Sequence, residues 1–405
     1  MNSVAFVTDA LESGGAERQL TLLAAALLRH HWQPRIVRYR PEAFYALPAG
    51  CEDRVLTRRF PGDPRMLLGL GRELRRPRVD IAHLWKPQAA AYAGVMGLGP
   101  WRVPSVLHLH TGAAHLRDNP IAARSYLVAA LLADHVVGVC GDGLDWLASC
   151  GVPWSRLSWI PNLVGDEMFS EKPRPQRVLA ALRQRLGLPA DAAAPVLVLG
   201  RVDENKNPSG VATALARLKR TGTDVPPLLL VGAVASKAEL ARTRAIAAEA
   251  ALDFRHHGPI DDVAGLLDAA CIVVLGSHAE GMPMVALEGM ARGAIVVAPA
   301  TGDVARVMTD GETGFVARQR KGRTHSDDLA RSIGSALALS TRGRATMSAS
   351  AKRHASASFA ADAIAPKWLE LYERLRTERR GPIGLDPRVR ASVGRIVEAL
   401  IAPLQ

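Results

Sequence analysis

Two glutamates separated by seven residues are the part of this sequence that most clearly indicates a chemical function. Glu280 follows an apolar, strand-like run at residues 271–277, and Glu288 lies in a helix predicted over 284–292. The second carboxylate would lie about two turns, or roughly 12 Å, further along by helical rise. Ionised carboxylates accept hydrogen bonds from hydroxyl groups. The spacing therefore predicts that the two side chains bind hydroxyls at two separate points of one ligand.

The residues between these glutamates predict an anion site. Pro283 suits the first helical turn, where its missing N–H costs no hydrogen bond. The peptide N–H groups of Gly281 and Met282 would then lie at the positive end of the helix, which attracts phosphate. The segment as a whole predicts a bound diphosphate with hydroxyl groups on both sides, and ribose and a sugar are the natural polyols.

Alternating apolar runs and amphipathic helices must position these residues. Strand-like and helical segments alternate up to a seam at 158–169, a polar, proline-containing stretch follows, and the alternation then restarts. This pattern indicates parallel β-α-β units with both faces covered. We therefore expect an α/β chain with two tandem, doubly wound Rossmann-like domains, at 1–165 and 166–380. They would face each other across a cleft that holds the ligand. An amphipathic helix at 381–405 is expected to pack back on the first domain.

Five short motifs are distributed over nearly the whole chain. They are GGAER at 14–18, IPN at 160–162, Gly200-Arg201 with Lys206 five residues after the arginine, the two glutamates with their E-x7-E spacing, and DGETGFV at 310–316. In these motifs and their order the chain resembles the retaining glycosyltransferases of family four, which have the GT-B fold.

The resemblance implies roles for individual residues. Arg201 and Lys206 would contact the diphosphate of a nucleotide-sugar donor, since a guanidinium fork and a lysine ammonium both suit phosphate. Glu280 would bind sugar hydroxyls and Glu288 the ribose. Gly281, Met282 and Pro283 would complete the donor site at the helix start.

The first domain would contribute a glycine loop and a histidine. Gly14 and Gly15 permit a close backbone approach that a Cβ would block. By the resemblance, His110 would contact the donor sugar or stabilise the developing oxocarbenium ion, because it closes a strand at 104–110 where the loop turns into the cleft. The same segment contains two other histidines. His108 is interpreted as a core residue, and His115 follows in the loop.

No metal or further cofactor is expected. The histidine spacing permits a metal site, but no Asp-x-Asp cluster accompanies it, and the resembled family is metal-independent. The four cysteines are scattered without a C-x-x-C pair, which argues against a zinc site or a disulfide framework and fits a reducing compartment.

Three segments depart from the family pattern. The second motif continues as NLVGD at 162–166, a GAVAS loop at 232–236 replaces the usual "GDG", and Arg306 stands where a glutamate is usual. None of these changes removes Arg201, Lys206, Glu280 or Glu288. We interpret them as changes in specificity.

The resemblance implies transfer of a hexosyl unit, with retention of configuration, from a nucleoside-diphosphate sugar to an acceptor hydroxyl. On family frequency the donor would be UDP-linked, and the acceptor a glycan or lipid-linked sugar in polysaccharide, glycolipid or lipopolysaccharide synthesis. Two alternatives remain open: a sugar-nucleotide 2-epimerase of similar architecture, and a non-catalytic partner that retains the fold.

Composition limits the partners and the location. Lys and Arg outnumber Asp and Glu by 51 to 39, yet no aromatic-interleaved basic stripe indicates nucleic-acid binding. No apolar run approaches the roughly 18–20 residues of a membrane span, and the start of the chain does not resemble a signal peptide. A cytoplasmic protein is expected. The basic charge and the helix at 381–405 leave association with the inner face of the membrane as an open alternative.

Overall fold

A computed structural model of the 405-residue chain describes residues 2–12, 14–57, 63, 65–75, 79–86, 103–170, 176–189, 193–318, 320 and 322–378. The chain forms two compact units. The first contains the chain up to Leu163 together with the segment that begins at Ile364, and the second spans Val164–Ala363. The expected domain boundary at residue 165 falls close to the first division, whereas the residues after 363 belong to the first unit and not, as expected, to the second.

Seven parallel strands form the sheet of the first unit, in the spatial order β3-β2-β1-β4-β5-β6-β7. The strands are β1 (Asn2–Thr8), β2 (Trp32–Arg38), β3 (Glu52–Val55), β4 (Ile81–Leu84), β5 (Ser105–Leu109), β6 (His135–Gly138) and β7 (Leu157–Trp159). Every residue of β4 and β5 is buried. Central parallel strands are covered on both faces, which explains why their sequences are mostly apolar, apart from His83 in β4 and Ser105 and His108 in β5.

Helices cover this sheet. They are α1 (Gly15–Arg29), α2 (Arg65–Arg75), α3 (Ala113–Asp118), α4 (Pro120–Leu132) and α5 (Gly141–Ser149), with a short 3-10 turn at Trp154–Arg156. The start of α4 shows the local causes: Pro120 occupies the first turn, and the Asn119 side chain accepts a hydrogen bond from the Ala122 N–H at 3.1 Å.

Six strands form the sheet of the second unit, in the order β10-β9-β8-β11-β12-β13, and all their recorded pairings are parallel. They are β8 (Val196–Leu199), β9 (Leu228–Val231), β10 (Phe254–His257), β11 (Ile272–Val274), β12 (Val296–Pro299) and β13 (Phe315–Ala317).

The remaining helices are α6 (Gln176–Arg185), α7 (Pro208–Arg220), α8 (Lys237–Glu249), α9 (Val263–Ala269), α10 (Met284–Arg292), α11 (Val304–Val307), α12 (His325–Leu337), α13 (Thr341–Phe359) and α14 (Ala361–Thr377), with a 3-10 turn at Asp166–Phe169. Most of α14 belongs to the first unit. Its Trp368 and Tyr372 are buried against His83 of β4, which is the physical reason why this segment leaves the predicted second domain.

Both sheets have a topological switch point. In the first, β2 and β3 lie on one side of β1, and β4 to β7 lie on the other. In the second, β8 and β11 are neighbours from which the order runs in opposite directions. Ligands of doubly wound sheets bind outside the carboxyl ends of the strands at such points. The predicted α/β class with two doubly wound parallel sheets is confirmed.

Seven elements are not predicted by the sequence patterns. β3 carries the charged sequence EDRV on an edge, and α13 has small and polar residues with few apolar ones. The other five are short or lack a clear period: β7, β13, α2, α3 and α11. Two predicted helices, one from Gln88 and one at 381–405, lie outside the described residues. In the part of the chain that the structure covers, no helix is both long and apolar enough to cross a bilayer.

Candidate active site

The loops that follow β8 and β11 meet at the switch point of the second sheet. The Asn205 side chain donates to the Ala279 carbonyl and accepts from the Ala279 N–H, both at 3.0 Å. The Asn205 carbonyl accepts from the His278 N–H at 2.8 Å. These three hydrogen bonds join the loop that carries Arg201 and Lys206 to the loop that carries Glu280.

Lys206 and Glu280 form an ion pair at this junction. The Lys206 ammonium lies 2.5 Å from Glu280 Oε1, and the same oxygen accepts from the Ser277 hydroxyl at 2.6 Å. The side chains of Lys206 and Glu280 are 29% and 11% exposed, so the pair lies near the surface and is accessible to a ligand. An anion that attracts the ammonium would release the carboxylate for hydroxyl groups, as a phosphate adjoining a sugar would do.

Arg201 lies at the start of the same loop. Its side chain is 63% exposed, and its guanidinium is 3.1 Å from Asp203 Oδ2. Asp203 also accepts from the Lys206 backbone N–H at 2.8 Å, so one carboxylate orders the loop between the two cations. The guanidinium is thus held near the loop yet remains accessible to an anionic ligand.

Tight backbone packing fixes the base of this loop. Gly200 has a φ of +148° and Gly232 a φ of +153°. A Cβ on Gly232 would lie 1.8 Å from the Gly200 carbonyl oxygen, so only glycine fits there. The divergent GAVAS loop at 232–236 therefore packs directly against the Arg201 loop. Ser236 extends this contact by donating to Glu204 at 2.6 Å.

The start of α10 rests on the loop after β12. The Asp303 N–H donates to the Gly281 carbonyl at 2.9 Å. Gly302, at a φ of +53°, leaves no room for a Cβ, which would lie 2.2 Å from the Glu280 carbonyl oxygen. This packing positions Gly281 and Met282 at the helix start. Pro283 is the residue that precedes the first helical turn, one position earlier than expected.

Glu288 and Arg306 have contrasting environments. Glu288 is buried on α10 with 2% exposure. Because the helix begins at Met284, Glu288 lies about one turn into it and not, as the sequence predicts, two turns along it. The Arg306 side chain is 52% exposed and lies 4.0 Å from Asp303 Oδ2, at the limit of an ion pair. The arginine that departs from the family pattern is thus on the surface beside the loop that supports Gly281.

The glycine loop of the first unit begins α1. Gly14 precedes the helix with extended backbone, a conformation open to any residue. Its missing side chain matters for space, because a Cβ would lie 2.5 Å from Glu17 Oε2. Glu17 is buried and forms an ion pair with Lys86, which follows β4. Gly15 is the first helical residue.

His110 follows β5 and belongs to a cluster of rings. Its ring stacks on His108 with centroids 4.0 Å apart and contacts Trp85 at 4.7 Å. Burial, and to a lesser degree the nearby Lys86 charge, lower the pKa of His110 to about 3, although a hydrogen bond to the Trp85 backbone partly opposes this shift. The imidazole is therefore neutral at physiological pH and cannot serve as a cationic phosphate ligand.

The cluster continues into the core. Burial lowers the pKa of His83 and of His108 well below the usual value. His83 Nδ1 is 2.6 Å from the Tyr372 hydroxyl of α14. Within the described residues, neither ring nitrogen of His108 has a hydrogen-bond partner. His108 occupies a core position, as the alternative interpretation of its sequence held, and His115 is an exposed residue of α3.

The structure brings the predicted residues into two groups. Arg201, Lys206 and Glu280 share one junction in the second unit, with α10 directly behind. The residues Gly14, Gly15 and His110 lie near the carboxyl ends of β1 and β5 in the first unit. Sequence reasoning missed the residues that order these groups: Glu17, Trp85, Lys86, Asn205 and Ser277. Glu17 lies inside a quoted motif, but its partner Lys86 carries no local signal.

Two further motifs have structural roles. The Gln19 side chain donates to the Leu163 carbonyl at 2.6 Å and accepts from its N–H at 2.8 Å, which anchors the chain after the IPN motif. Asp310 accepts from the Val316 N–H at 2.9 Å and closes the DGETGFV turn. In the described part of the chain, no group of three His, Cys, Asp or Glu side chains is arranged to hold a metal ion.

Comparisons with known proteins agree with this architecture. Residues 183–354 match the family model "Glycosyl transferases group 1", and residues 13–167 match "Glycosyltransferase Family 4". A D-inositol 3-phosphate glycosyltransferase from Xylanimonas cellulosilytica is 28% identical over 323 residues, which cover 74% of this chain and 72% of that protein.

Solved structures share the fold. HepE from Anabaena, in complex with UDP and glucose, superposes with a TM-score of 0.75 at 20% identity, covering 92% of this chain and 100% of that one. WaaG, a glycosyltransferase involved in lipopolysaccharide biosynthesis, superposes with a TM-score of 0.68 at 14% identity, covering 91% of this chain and 99% of that one.

Proposed function

The chain is a hexosyltransferase of glycosyltransferase family four with the GT-B fold, and from that premise we propose that it is a retaining, metal-independent enzyme. Its donor is a nucleoside-diphosphate sugar, with uridine as the base. Its acceptor is a hydroxyl group of a glycan or lipid-linked sugar in cell-surface polysaccharide or glycolipid synthesis. It acts in the cytoplasm, in part at the inner face of the membrane.

The observation that carries this proposal is the Lys206–Glu280 ion pair at the switch point of the second sheet. A cation for phosphate and a carboxylate for sugar hydroxyls lie side by side there, with the exposed Arg201 guanidinium on the same loop. Donor diphosphate would take Lys206 from Glu280, and Glu280 would turn to the sugar. Glu288, further along α10, is assigned to the ribose.

In the proposed reaction the bond between the sugar C1 and the diphosphate oxygen breaks, and its electron pair stays with the leaving diphosphate. The acceptor oxygen bonds to C1 on the same face and passes its proton to a phosphate oxygen. Arg201, Lys206 and the N–H groups at the start of α10 stabilise the negative charge that develops on the diphosphate. His110 is neutral, so it contributes as a hydrogen-bonding group near the sugar.

Relatives support the choice of substrates. The similar structure of HepE is of a complex with UDP and glucose, which favours uridine. The Xylanimonas relative is named for an inositol phosphate acceptor and WaaG for lipopolysaccharide biosynthesis. D-Inositol 3-phosphate is a polyol, in agreement with transfer to a hydroxyl group.

A nucleotide screen followed by a transfer assay tests the proposal. We expect UDP, and not ADP, to raise the thermal midpoint of the protein. We also expect UDP release from UDP-glucose to depend on an acceptor, with D-inositol 3-phosphate and octyl glucoside as probes. The anomeric proton coupling of the product, measured by NMR, should match that of the donor. Binding of no nucleoside diphosphate would indicate a non-catalytic partner, and acceptor-independent UDP release would indicate an epimerase.

A further inference from the structure

We propose that Asn205 is a positioning residue that sets the distance between the phosphate-binding and the sugar-binding groups of the donor site. This inference rests on the proposed function, because it assigns the role of Asn205 relative to a nucleotide-sugar. Asn205 is exposed, and its side chain contacts the neighbouring loop and not the core.

The register of the contact carries the argument. Asn205 pairs with Ala279, and the next residue of each loop, Lys206 and Glu280, forms the ion pair. The Asn205 amide pairs with both the backbone N–H and the backbone carbonyl of one residue, Ala279, as a neighbouring strand would. Two loops from different strands are thereby joined one residue before the groups that contact ligand.

The loop after β11 makes one further hydrogen bond with Asn205. Its His278 N–H donates to the Asn205 carbonyl. At the carboxyl ends of β8 and β11 the loops leave the sheet, so its ladder no longer fixes their separation. Beyond the strand ends, the hydrogen bonds of Asn205 take over the role of the backbone hydrogen bonds between β8 and β11, at the place where the donor is proposed to bind. Ser277 acts on the same carboxylate from within its own loop, by donating to Glu280 Oε1.

The chemical consequence concerns two parts of one donor. The diphosphate has to reach Lys206 while the sugar hydroxyls reach Glu280, and the donor fixes the distance between these parts. A nucleoside diphosphate without sugar needs only the cations. Loss of Asn205 should therefore weaken binding of the whole donor more than binding of the nucleoside diphosphate, since the two groups then no longer have a fixed separation.

Calorimetry on the full chain tests this prediction, with UDP and UDP-glucose as probes. For Asn205→Ala we expect the UDP dissociation constant to change by less than about twofold. The UDP-glucose dissociation constant should rise about tenfold. This is the effect expected from the loss of one or two hydrogen bonds, here those between Asn205 and Ala279 beside the ion pair. Asn205→Gln, which retains the amide, should recover part of the loss. Gln184→Ala, which removes an exposed side-chain amide from α6 of the same unit, is the matched control with unchanged binding of both probes.

Each outcome has a distinct meaning. Equal weakening of UDP and UDP-glucose, or a large fall in the thermal midpoint, would show a general structural role and overturn the inference. Unchanged binding of both probes by Asn205→Ala would overturn it as well. If the unaltered chain binds neither nucleotide, the proposed function fails and this inference fails with it, which distinguishes the two.

Discussion

The two groups of predicted site residues lie at corresponding places of two similar sheets, but they have opposite electrostatic designs. In the first unit, His83, His108 and His110 stack in a buried cluster where burial lowers each pKa, so the rings are uncharged. In the second unit, Lys206 and Glu280 form an accessible ion pair, and hydrogen bonds between loops order them.

This difference shows two ways of preparing a site. The histidine cluster is rigid because it is packed with Trp85, Trp368 and Tyr372, and its geometry does not require a ligand. The ion pair keeps two charges satisfied before a ligand arrives, and an anion can exchange with the carboxylate. The packed histidine cluster keeps its geometry without a ligand, whereas the ion pair allows Lys206 and Glu280 to exchange each other for groups of the ligand. Mutations should therefore affect stability mainly in the first region and turnover mainly in the second.

The largest expected effect is on turnover in the second region. Lys206→Ala removes a cation from the proposed diphosphate site and leaves the carboxylate of Glu280 without its partner. Loss of one group that stabilises developing charge costs on the order of 10²–10³ in kcat. Steady-state kinetics should show this fall, with the thermal midpoint nearly unchanged. Lys206→Arg keeps a positive charge and should lose less.

Lys237 provides the matched control, because it is an exposed lysine of the same unit at the start of α8. Lys237→Ala should retain full turnover. If Lys206→Ala also turned over at a near-normal rate, the ion pair would be structural, and the contrast between the two regions would disappear.

Most of the positions of these residues could be predicted from the sequence, because they follow continuous apolar strands. Arg201 and Glu280 come directly after such runs, and neighbouring parallel strands bring their carboxyl ends together. Helical periodicity places Glu288 on α10 but not at its observed depth of about one turn. These inferences needed only local periodicity and the rules of doubly wound sheets.

The pairings could not be predicted, since they join residues far apart in the chain. Nothing local indicates that Lys86 will neutralise Glu17, or that Asn205 will bind the peptide of Ala279. The packing of α14 on the first unit could not be predicted either. The amphipathic pattern of a helix indicates that one face is buried, but it does not indicate which element covers that face. Its partner, His83, lies in a strand whose other residues are apolar.

A second prediction concerns pH and sharpens the comparison. The three histidines of the cluster are held neutral in the fold, whereas in the unfolded chain they bind protons near pH 6.5. The unfolded state therefore gains protons as the pH falls below that value, and the first unit loses stability. For His110, whose pKa is lowered to about 3, the loss at pH 5 is roughly 2 kcal/mol, and it is absent above pH 7.5.

Fluorescence can follow this unit alone. All seven tryptophans of the sequence lie before Leu163 or after Ile364, within the first unit. Urea unfolding monitored by tryptophan emission should shift to lower midpoints between pH 7.5 and pH 5. Circular dichroism, which reports on both units, should show a smaller shift. A fluorescence midpoint that is independent of pH over this range would contradict the account of a neutral cluster.

The smallest expected effect isolates a single contact of the rigid region. Tyr372→Phe removes the hydroxyl that lies 2.6 Å from His83 Nδ1 but preserves the ring that packs against Trp368 and Trp32. Loss of one buried hydrogen bond costs about 1 kcal/mol of unfolding free energy, which urea titration with tryptophan emission can measure. Turnover should remain within about twofold of normal, because the change lies in the packed core and the rest of the cluster keeps His110 in place. A fall in turnover as large as that of Lys206→Ala would mean that the contact between α14 and β4 controls the chemistry. The packed core of the first region would then affect turnover through the position of His110, and not stability alone.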